Sequence, residues 1–261
     1  MGSPARARAS EEAAGTLADR VYRSLADRLM AGRAAPGDKL SLRAVADTLG
    51  VSMMPVRAAV SRLTAEGALE VLPKRAVTVP LMRADQFRDI TRVRIEIEGA
   101  AAAMACHGAD RSDLATIAER ERTFRAISRE RAPDLARAVA ANQELHFAVY
   151  RAAKSPELLA IIERLWLRVG PILNFDLRGS PERIKMGDAV KCHQALLSAL
   201  RAGDPEVARA AIAGDIRSAA EFILSSGRLA SGIEGGHPTP PEAVGGAQEP
   251  RRTPQGARHR P

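Results

Sequence analysis

Apolar residues along the chain fall into two regimes. Leu17, Val21, Leu25 and Leu29 recur every four residues, with Tyr22 beside them. They predict one face of a helix, ended by the break AGRAAPGDKL with its Gly32, Pro36 and Gly37. SLRAVADTLG predicts a second, short helix, with Ser41 as N-cap and Gly50 just past its end. In LGVSMMPVRAAVSRLTAEG, Val56, Ala59, Val60 and Leu63 stand at i, i+3, i+4 and i+7, the apolar face of a third helix. Ser52 stands at its N-cap, and Pro55 falls in the first turn, where its missing N–H costs nothing. ALEVLPKRAVTVP then reads as two short β-runs, Leu69–Leu72 and Ala76–Val79, around a tight basic turn at Pro73, Lys74 and Arg75. From Ala84 the period is helical throughout. It predicts six helices near 84–107, 111–130, 133–152, 156–176, 181–201 and 204–225, separated by GAD, RAP, KSPE, RGSPE and AGDPE. Pro171 lies inside the fourth of these and predicts a kink there.

The fold class expected is mainly α: an N-terminal winged helix-turn-helix with a small β-hairpin, then an all-helical bundle of about six helices. The boundaries are a mobile N-terminus over 1–14, a first domain over 15–82, a helical domain over 84–226 and a disordered tail over 227–261. That tail is rich in Gly and Pro.

Charge changes the picture for the first domain alone. Residues 1–83 carry 13 Lys/Arg against 8 Asp/Glu, residues 84–226 carry 21 against 20, and residues 227–261 carry 5 against 3. The first third therefore holds most of the net +8 and is the candidate for a polyanionic partner. No apolar run approaches the length of a membrane span. The N-terminus lacks the apolar core of a signal peptide, and Arg6 stands where a myristoylation signal needs Ser or Thr. Cys106 and Cys192 lie too far apart to suggest a disulfide framework or a zinc knuckle. The expected setting is soluble and cytoplasmic.

In the third helix, Met53, Met54, Arg57 and Ser61 fall mostly opposite the apolar face, toward the helix start. Two helices, a turn with Gly50, a third helix with a basic N-terminal end and a basic hairpin tip follow the order of a winged helix-turn-helix. A helix start offers free N–H groups and a positive dipole end to a DNA backbone. The alternative is a helical hairpin with a β-appendage and no DNA.

The stretch LSLRAVADTLGVSMMPVRAAVSRLTAEGALEVLPKRAVTV resembles the winged-helix domain of the GntR family of bacterial transcription regulators. The helical remainder resembles the FCD ligand-binding domain of the FadR subgroup. The resemblance implies phosphate contacts from Arg43, Ser52 and Arg57, and a wing tip at Lys74 and Arg75 near the minor groove. It departs where Met53 and Met54 replace the usual Arg-Thr. An arginine there can read guanine by a bidentate contact, whereas methionine offers only apolar contact, for example to a thymine methyl. Ala58 replaces a frequent glutamate, and Lys74 and Ala76 replace Asn and Gly of the wing turn.

NQELHFAVYRAAKSPELL places Asn142 and His146 one turn apart on one face. His193 follows in the fifth bundle helix, and Asp215 twenty-two positions later in the sixth. Two histidines with oxygen donors can meet in a bundle core and ligate a divalent metal, although a histidine on an amphipathic helix is more often a packed or surface group. The FCD resemblance implies a metal at these positions, with Asn142 where Asp is usual and Asp215 where the last His is usual. Zinc, nickel and manganese are not distinguished. Cys192 points about 100° from His193 and reads as packing. In the family, an arginine of the first bundle helix can hold an effector carboxylate. Arg94 is the first candidate and Arg92 the second, against the alternative of ordinary surface arginines. Asn174 is a further candidate lining residue.

The reading is a homodimeric transcription regulator, acting as a repressor, with no enzymatic activity. It binds a roughly palindromic site on double-stranded DNA and responds to a small organic acid held by a divalent transition metal and an arginine. It has no membrane partner. The alternative is a metal-dependent hydrolase with a basic docking module, disfavoured because no HExxH and no general base accompany the ligands. A third alternative is a DNA-architectural protein without a sensor.

Overall fold

Thr16 starts the first helix. Its hydroxyl accepts from the Asp19 N–H while the Asp19 carboxylate accepts from the Thr16 N–H, a reciprocal cap. Helix α1 (Leu17–Met30) then buries Val21, Leu25 and Leu29, as their four-residue spacing predicts. Leu17 remains half-exposed. The computed structural model describes residues 15–73, 76–179, 188–227 and 229, and the side chains of all but 174–179 among them. The stretch 1–14, the wing-tip residues Lys74 and Arg75, and the tail beyond 229 lie outside the described residues.

The predicted break after α1 hides an element. Lys39–Leu40 is a short strand, β1, which the sequence pattern did not indicate. Helices α2 (Leu42–Leu49) and α3 (Met53–Ala65) follow. Ser41 caps α2 by accepting from the Ala44 N–H, and Gly50 ends it at φ 63°, a left-handed conformation that favours glycine. Strands β2 (Glu70–Val71) and β3 (Val77–Thr78) form the hairpin. The sheet is antiparallel in the order β1-β3-β2, with Lys39 and Glu70 both opposite Thr78. β3 is the central strand, so Val77 and Thr78 are both buried. Val56, Ala59, Val60 and Leu63 of α3 are buried against α1 and the sheet. Val56 and Leu63 are fully enclosed, each contributing about 1.5–3 kcal/mol.

The helical region holds α4 (Ala84–Gly108), α5 (Arg111–Ser128), α6 (Leu135–Ala152), α7 (Pro156–Gly179), α8 (Asp188–Ala202) and α9 (Pro205–Ser225). Asp110, Asp134 and Asp204 cap α5, α6 and α9. The helical assignment of α7 runs through Pro171 to Gly179. The predicted start of the fifth bundle helix, 181–187, lies outside the described residues.

Helix α4 packs along α9, α5 along α6, and α8 against both α9 and α5. The alanines Ala101, Ala102 and Ala105 are fully buried on α4 and let neighbouring helices approach closely. Helix α7 contacts α4 and α6 on one side and α1 of the winged head on another. Leu167 belongs to the head's core, whereas the preceding Trp166 belongs to the bundle's core. At Gly170 the α7 backbone meets the end of α1 so closely that a Cβ would stand 2.9 Å from the Leu29 carbonyl oxygen and from Met30 Cα.

Candidate functional site

Two places gather the residues singled out in the sequence. The first is the exposed start of α3 with the neighbouring α2. Arg43, Ser52, Met54 and Arg57 are exposed and Met53 is half-buried. Met54 is 78% exposed, the most exposed of the large apolar side chains among the described residues. Ser52 has the extended backbone of an N-cap, but its hydroxyl makes no capping bond. Neither α2 nor α3 has an acid in its first turn, so nothing there offsets the positive dipole ends. Lys74 and Arg75 of the wing tip fall outside the described residues.

The second place is a buried cluster where α4, α6, α7, α8 and α9 meet. His146 of α6 and His193 of α8 are each 1% exposed, and Asp215 of α9 is buried beside them. One ligand atom from each lies within 4.8 Å of the others. His146 Nε2 stands 3.2 Å from Asp215 Oδ2, and His193 Nε2 stands 3.7 Å from Asp215 Oδ1. Neither contact has hydrogen-bond geometry: His146 Nε2 and both ring nitrogens of His193 are buried without a hydrogen-bond partner. Buried polar atoms are rarely left so, and each such case calls for an ion, a water or a ligand. Burial pushes the Asp215 carboxyl up, but His146 and His193 together outweigh that and hold it well below the ordinary carboxylate range. Asp215 is therefore an ionised acceptor at neutral pH. Bonds of about 2.0–2.2 Å place ligand atoms no more than about 4.4 Å apart, so the three residues need only a small closure to hold one ion. Asn142 sits one turn ahead of His146, half-buried.

Around this cluster lies a hydrogen-bonded chain that the sequence pattern did not indicate. Arg94 Nε donates to Glu98 Oε1 at 2.6 Å, and Arg94 Nη2 to Glu98 Oε2 at 3.3 Å. The Tyr150 hydroxyl donates to Glu98 Oε2 and meets His146 Nδ1 at 2.9 Å. All four side chains are buried. Burial, then the neighbouring Glu98, pushes the Tyr150 hydroxyl well above its ordinary range. The Arg94 guanidinium also lies 5.2 Å from the centre of the Trp166 ring, whose own indole N–H is buried without a partner. A signal for the chain was present. Positions 94, 98, 101 and 105 share a helix face, so the alanines at 101 and 105 place Glu98 on the buried side.

The effector candidates are placed differently from one another. Arg94 already has its guanidinium engaged by Glu98, so a ligand carboxylate could take it only by displacing Glu98. Arg92 is exposed. The side chain of Asn174 lies outside the described residues. Cys192 packs near Gly214, and burial, then Asp215, pushes its thiol up to about 11. It is thus protonated at neutral pH, in keeping with a packing role.

Residues 17–79 match the gntR family of bacterial regulatory proteins, and residues 89–218 match the FCD domain. The HTH-type transcriptional regulator McbR of Escherichia coli (strain K12) is 32% identical over 198 residues, covering 76% of this chain and 88% of McbR. The chain belongs to the GntR family. As a GntR member it is a DNA-binding transcription regulator whose helical region is an FCD domain. The solved structure of E. coli McbR/YncC superposes with a TM-score of 0.74 at 30% identity, covering 81% of this chain and 99% of that one. A protein of Paenarthrobacter nicotinovorans named "Probable D-xylose utilization operon transcriptional repressor" is 29% identical over 199 residues, covering 76% of this chain and 84% of its own length. These relatives are transcription regulators and not enzymes, and nothing in them supports the metal-dependent hydrolase. No described helix is long and apolar enough to cross a membrane.

Proposed function

We propose that this GntR regulator controls its affinity for DNA through a small organic acid bound at a divalent transition metal inside its helical domain. The observation that carries the reading is the burial of three converging donors, His146, His193 and Asp215, with His146 Nε2 and both ring nitrogens of His193 making no hydrogen bond of good geometry. Asn142, one turn before His146, is the fourth donor. Zinc, nickel and manganese all accept this nitrogen and oxygen set. When bound, such an ion supplies a positively charged anchor for a carboxylate. Arg94 then serves the pocket through Glu98, and Arg92 and Asn174 remain candidate contacts to the acid.

The DNA-binding domain spans 15–82 and the FCD domain 84–226. Arg43, Ser52 and Arg57 contact phosphates, Met53 and Met54 face base edges, and Lys74 and Arg75 carry the wing tip. The protein acts as a homodimer on a roughly palindromic site, since two-fold protein symmetry requires matching half-sites. Repression is the favoured sign, supported by the repressor named among the relatives. The acid must bind the DNA-competent and DNA-incompetent states unequally to act as a signal.

Elemental analysis of the untagged protein beside an Asn142→Ala/His193→Ala variant tests the metal. About one ion per chain, lost in the variant, is the expected result. No metal in either protein would overturn the metal site, and the acid would then have to be sought elsewhere in the bundle. A panel of carboxylates screened by DNA mobility shift tests the sensor. No change in DNA affinity with any acid would overturn that half of the reading.

A further inference from the structure

We infer that Glu98 and Tyr150 are positioning residues that fix which nitrogen of His146 is free to bind a metal. The inference rests on the metal reading above, but it is argued from where each proton of the hydrogen-bonded chain must lie. Arg94 can only donate, and it offers two N–H groups to Glu98. Both Glu98 oxygens are therefore acceptors. The Tyr150 hydroxyl has one proton, and it goes to Glu98 Oε2. Toward His146 the same hydroxyl can then only accept, so the proton in the 2.9 Å contact belongs to His146 Nδ1. In the neutral ring the remaining nitrogen, Nε2, carries the lone pair, and any further proton the ring takes up sits there, toward Asp215, where a metal would displace it. Nε2 is the ring nitrogen that lies 3.2 Å from Asp215 and has no hydrogen-bond partner.

The chain thus runs Arg94 to Glu98, Tyr150 to Glu98, His146 to Tyr150, and it ends on a lone pair aimed at the group with Asp215 and His193. His193 has no such lock, since both of its ring nitrogens lack a hydrogen-bond partner and its ring lies edge-on to Phe124 at 4.8 Å. The two imidazoles are therefore unequal: a hydrogen bond presets one ring and not the other. Outer partners of this kind orient a ligating histidine, and their loss lowers metal affinity by about 10–100-fold.

Glu98→Gln, nearly identical in shape, is therefore the sharpest perturbation. Arg94 needs an oxygen at its closer contact, so the oxygen of the introduced amide stays there and the amide NH2 group turns to Tyr150. The Tyr150 hydroxyl then accepts from that NH2 group and donates to His146 Nδ1. This reverses the chain and leaves the proton on Nε2. Tyr150→Phe only releases the lock.

The test is a long-range proton–nitrogen correlation spectrum of protein labelled with 15N-histidine. It is recorded zinc-free at a pH above the usual histidine range, with His146 assigned from a His146→Gln spectrum. Zinc affinity is measured in parallel by competition with a chelating dye. The expected results are the proton on Nδ1 in the native protein, a mixture in Tyr150→Phe, and the proton on Nε2 in Glu98→Gln. Zinc affinity should fall by about 10–100-fold in Tyr150→Phe and further in Glu98→Gln, with the helical circular dichroism of both intact. A native ring protonated on Nε2 overturns the inference. So does a Glu98→Gln protein that keeps both the native tautomer and the native zinc affinity. If the native protein takes up none of zinc, nickel and manganese, the metal reading fails by itself, and the tautomer pattern still decides whether the chain sets the ring. Should one variant not fold, the other decides the question together with the native spectrum.

Discussion

Gly170 offers a direct test of how the DNA-binding head is seated on the FCD domain. Its α7 backbone lies against the last turn of α1, and a Cβ placed there would meet Leu29 O and Met30 Cα at 2.9 Å and Met30 O at 3.1 Å. All three neighbours are backbone atoms, so none can rotate away. Carbon–carbon contacts settle near about 3.5–4.0 Å, so Gly170→Ala must open the seam by at least about 0.6 Å. Overpacking of this kind costs about 1–3 kcal/mol. The substitution also gains about 1 kcal/mol from replacing a helical glycine with alanine. A second glycine isolates the clash. Gly214 is likewise inside a helix, and its added Cβ would meet only the Cys192 sulfur at an ordinary 3.4 Å. Gly214→Ala therefore keeps the propensity gain without the penalty, and the two variants should differ by about 1–3 kcal/mol. For a chain of this size each kcal/mol moves Tm by about 2–4 °C. Thermal unfolding followed by circular dichroism, with a chelator present so that metal does not contribute, should place Gly170→Ala below Gly214→Ala by at least about 2 °C. Equal melting temperatures would refute the claim that α1 and α7 are in rigid backbone contact.

Three other outcomes follow from particular residues. The chain has only two tyrosines, Tyr22 and Tyr150. Burial, then its hydrogen bond to Glu66, pushes Tyr22 up to about 12, and Tyr150 lies well above its ordinary range. A folded-state value above the unfolded one means that Tyr22 stabilises the fold fully below about pH 10 and loses this as pH rises through about 12; phenolate absorbance of the folded protein should show no tyrosine ionising near pH 10, and one that did would refute the placement. Removing one member of the buried Arg94–Glu98 pair, as in Glu98→Leu, should cost about 3–5 kcal/mol, whereas Arg94→Met/Glu98→Leu should recover most of it; urea unfolding that shows an additive double variant would sink this account of the pair. Met53→Arg should shift the preferred operator sequence toward guanine at the position it faces, by about 1–3 kcal/mol of discrimination, in a binding-site selection experiment; an unchanged preference would mean that residue 53 does not face a base.

Local period and capping chemistry made most elements legible from the residues alone. The four buried residues of α3 are those that the i, i+3, i+4, i+7 spacing named, and Ser41 and Gly50 bound α2 as their chemistry requires. Strand β1 escaped because two residues, Lys39 and Leu40, carry no period of their own. Their conformation is set by the edge of β3 next to which they fall, an interaction across nearly forty residues of sequence. Ser52 shows the limit of reading a cap from residue type alone: the backbone is that of an N-cap, yet its exposed hydroxyl is left free of the helix.

The buried cluster divides in the same way. His146, His193 and Asp215 were legible because metal-ligand residue types at a known family spacing stand out, and the fold does bring them together. Their supporting chain did not stand out, because its meaning depends on which way each side chain faces across helices. Glu98 and Tyr150 are 52 residues apart and meet only where α4 and α6 pack. Arg94, a candidate for an effector carboxylate in the sequence, has its guanidinium paired with the neighbouring Glu98, one turn on. Trp166 extends the same reasoning toward the head. It is adjacent in sequence to Leu167, and the two side chains diverge, one toward His146 at 5.7 Å between ring centres and the other into the core beneath α3. A shift of the α7 backbone at Trp166 would reach Leu167 and, one turn further, the Gly170 contact with α1.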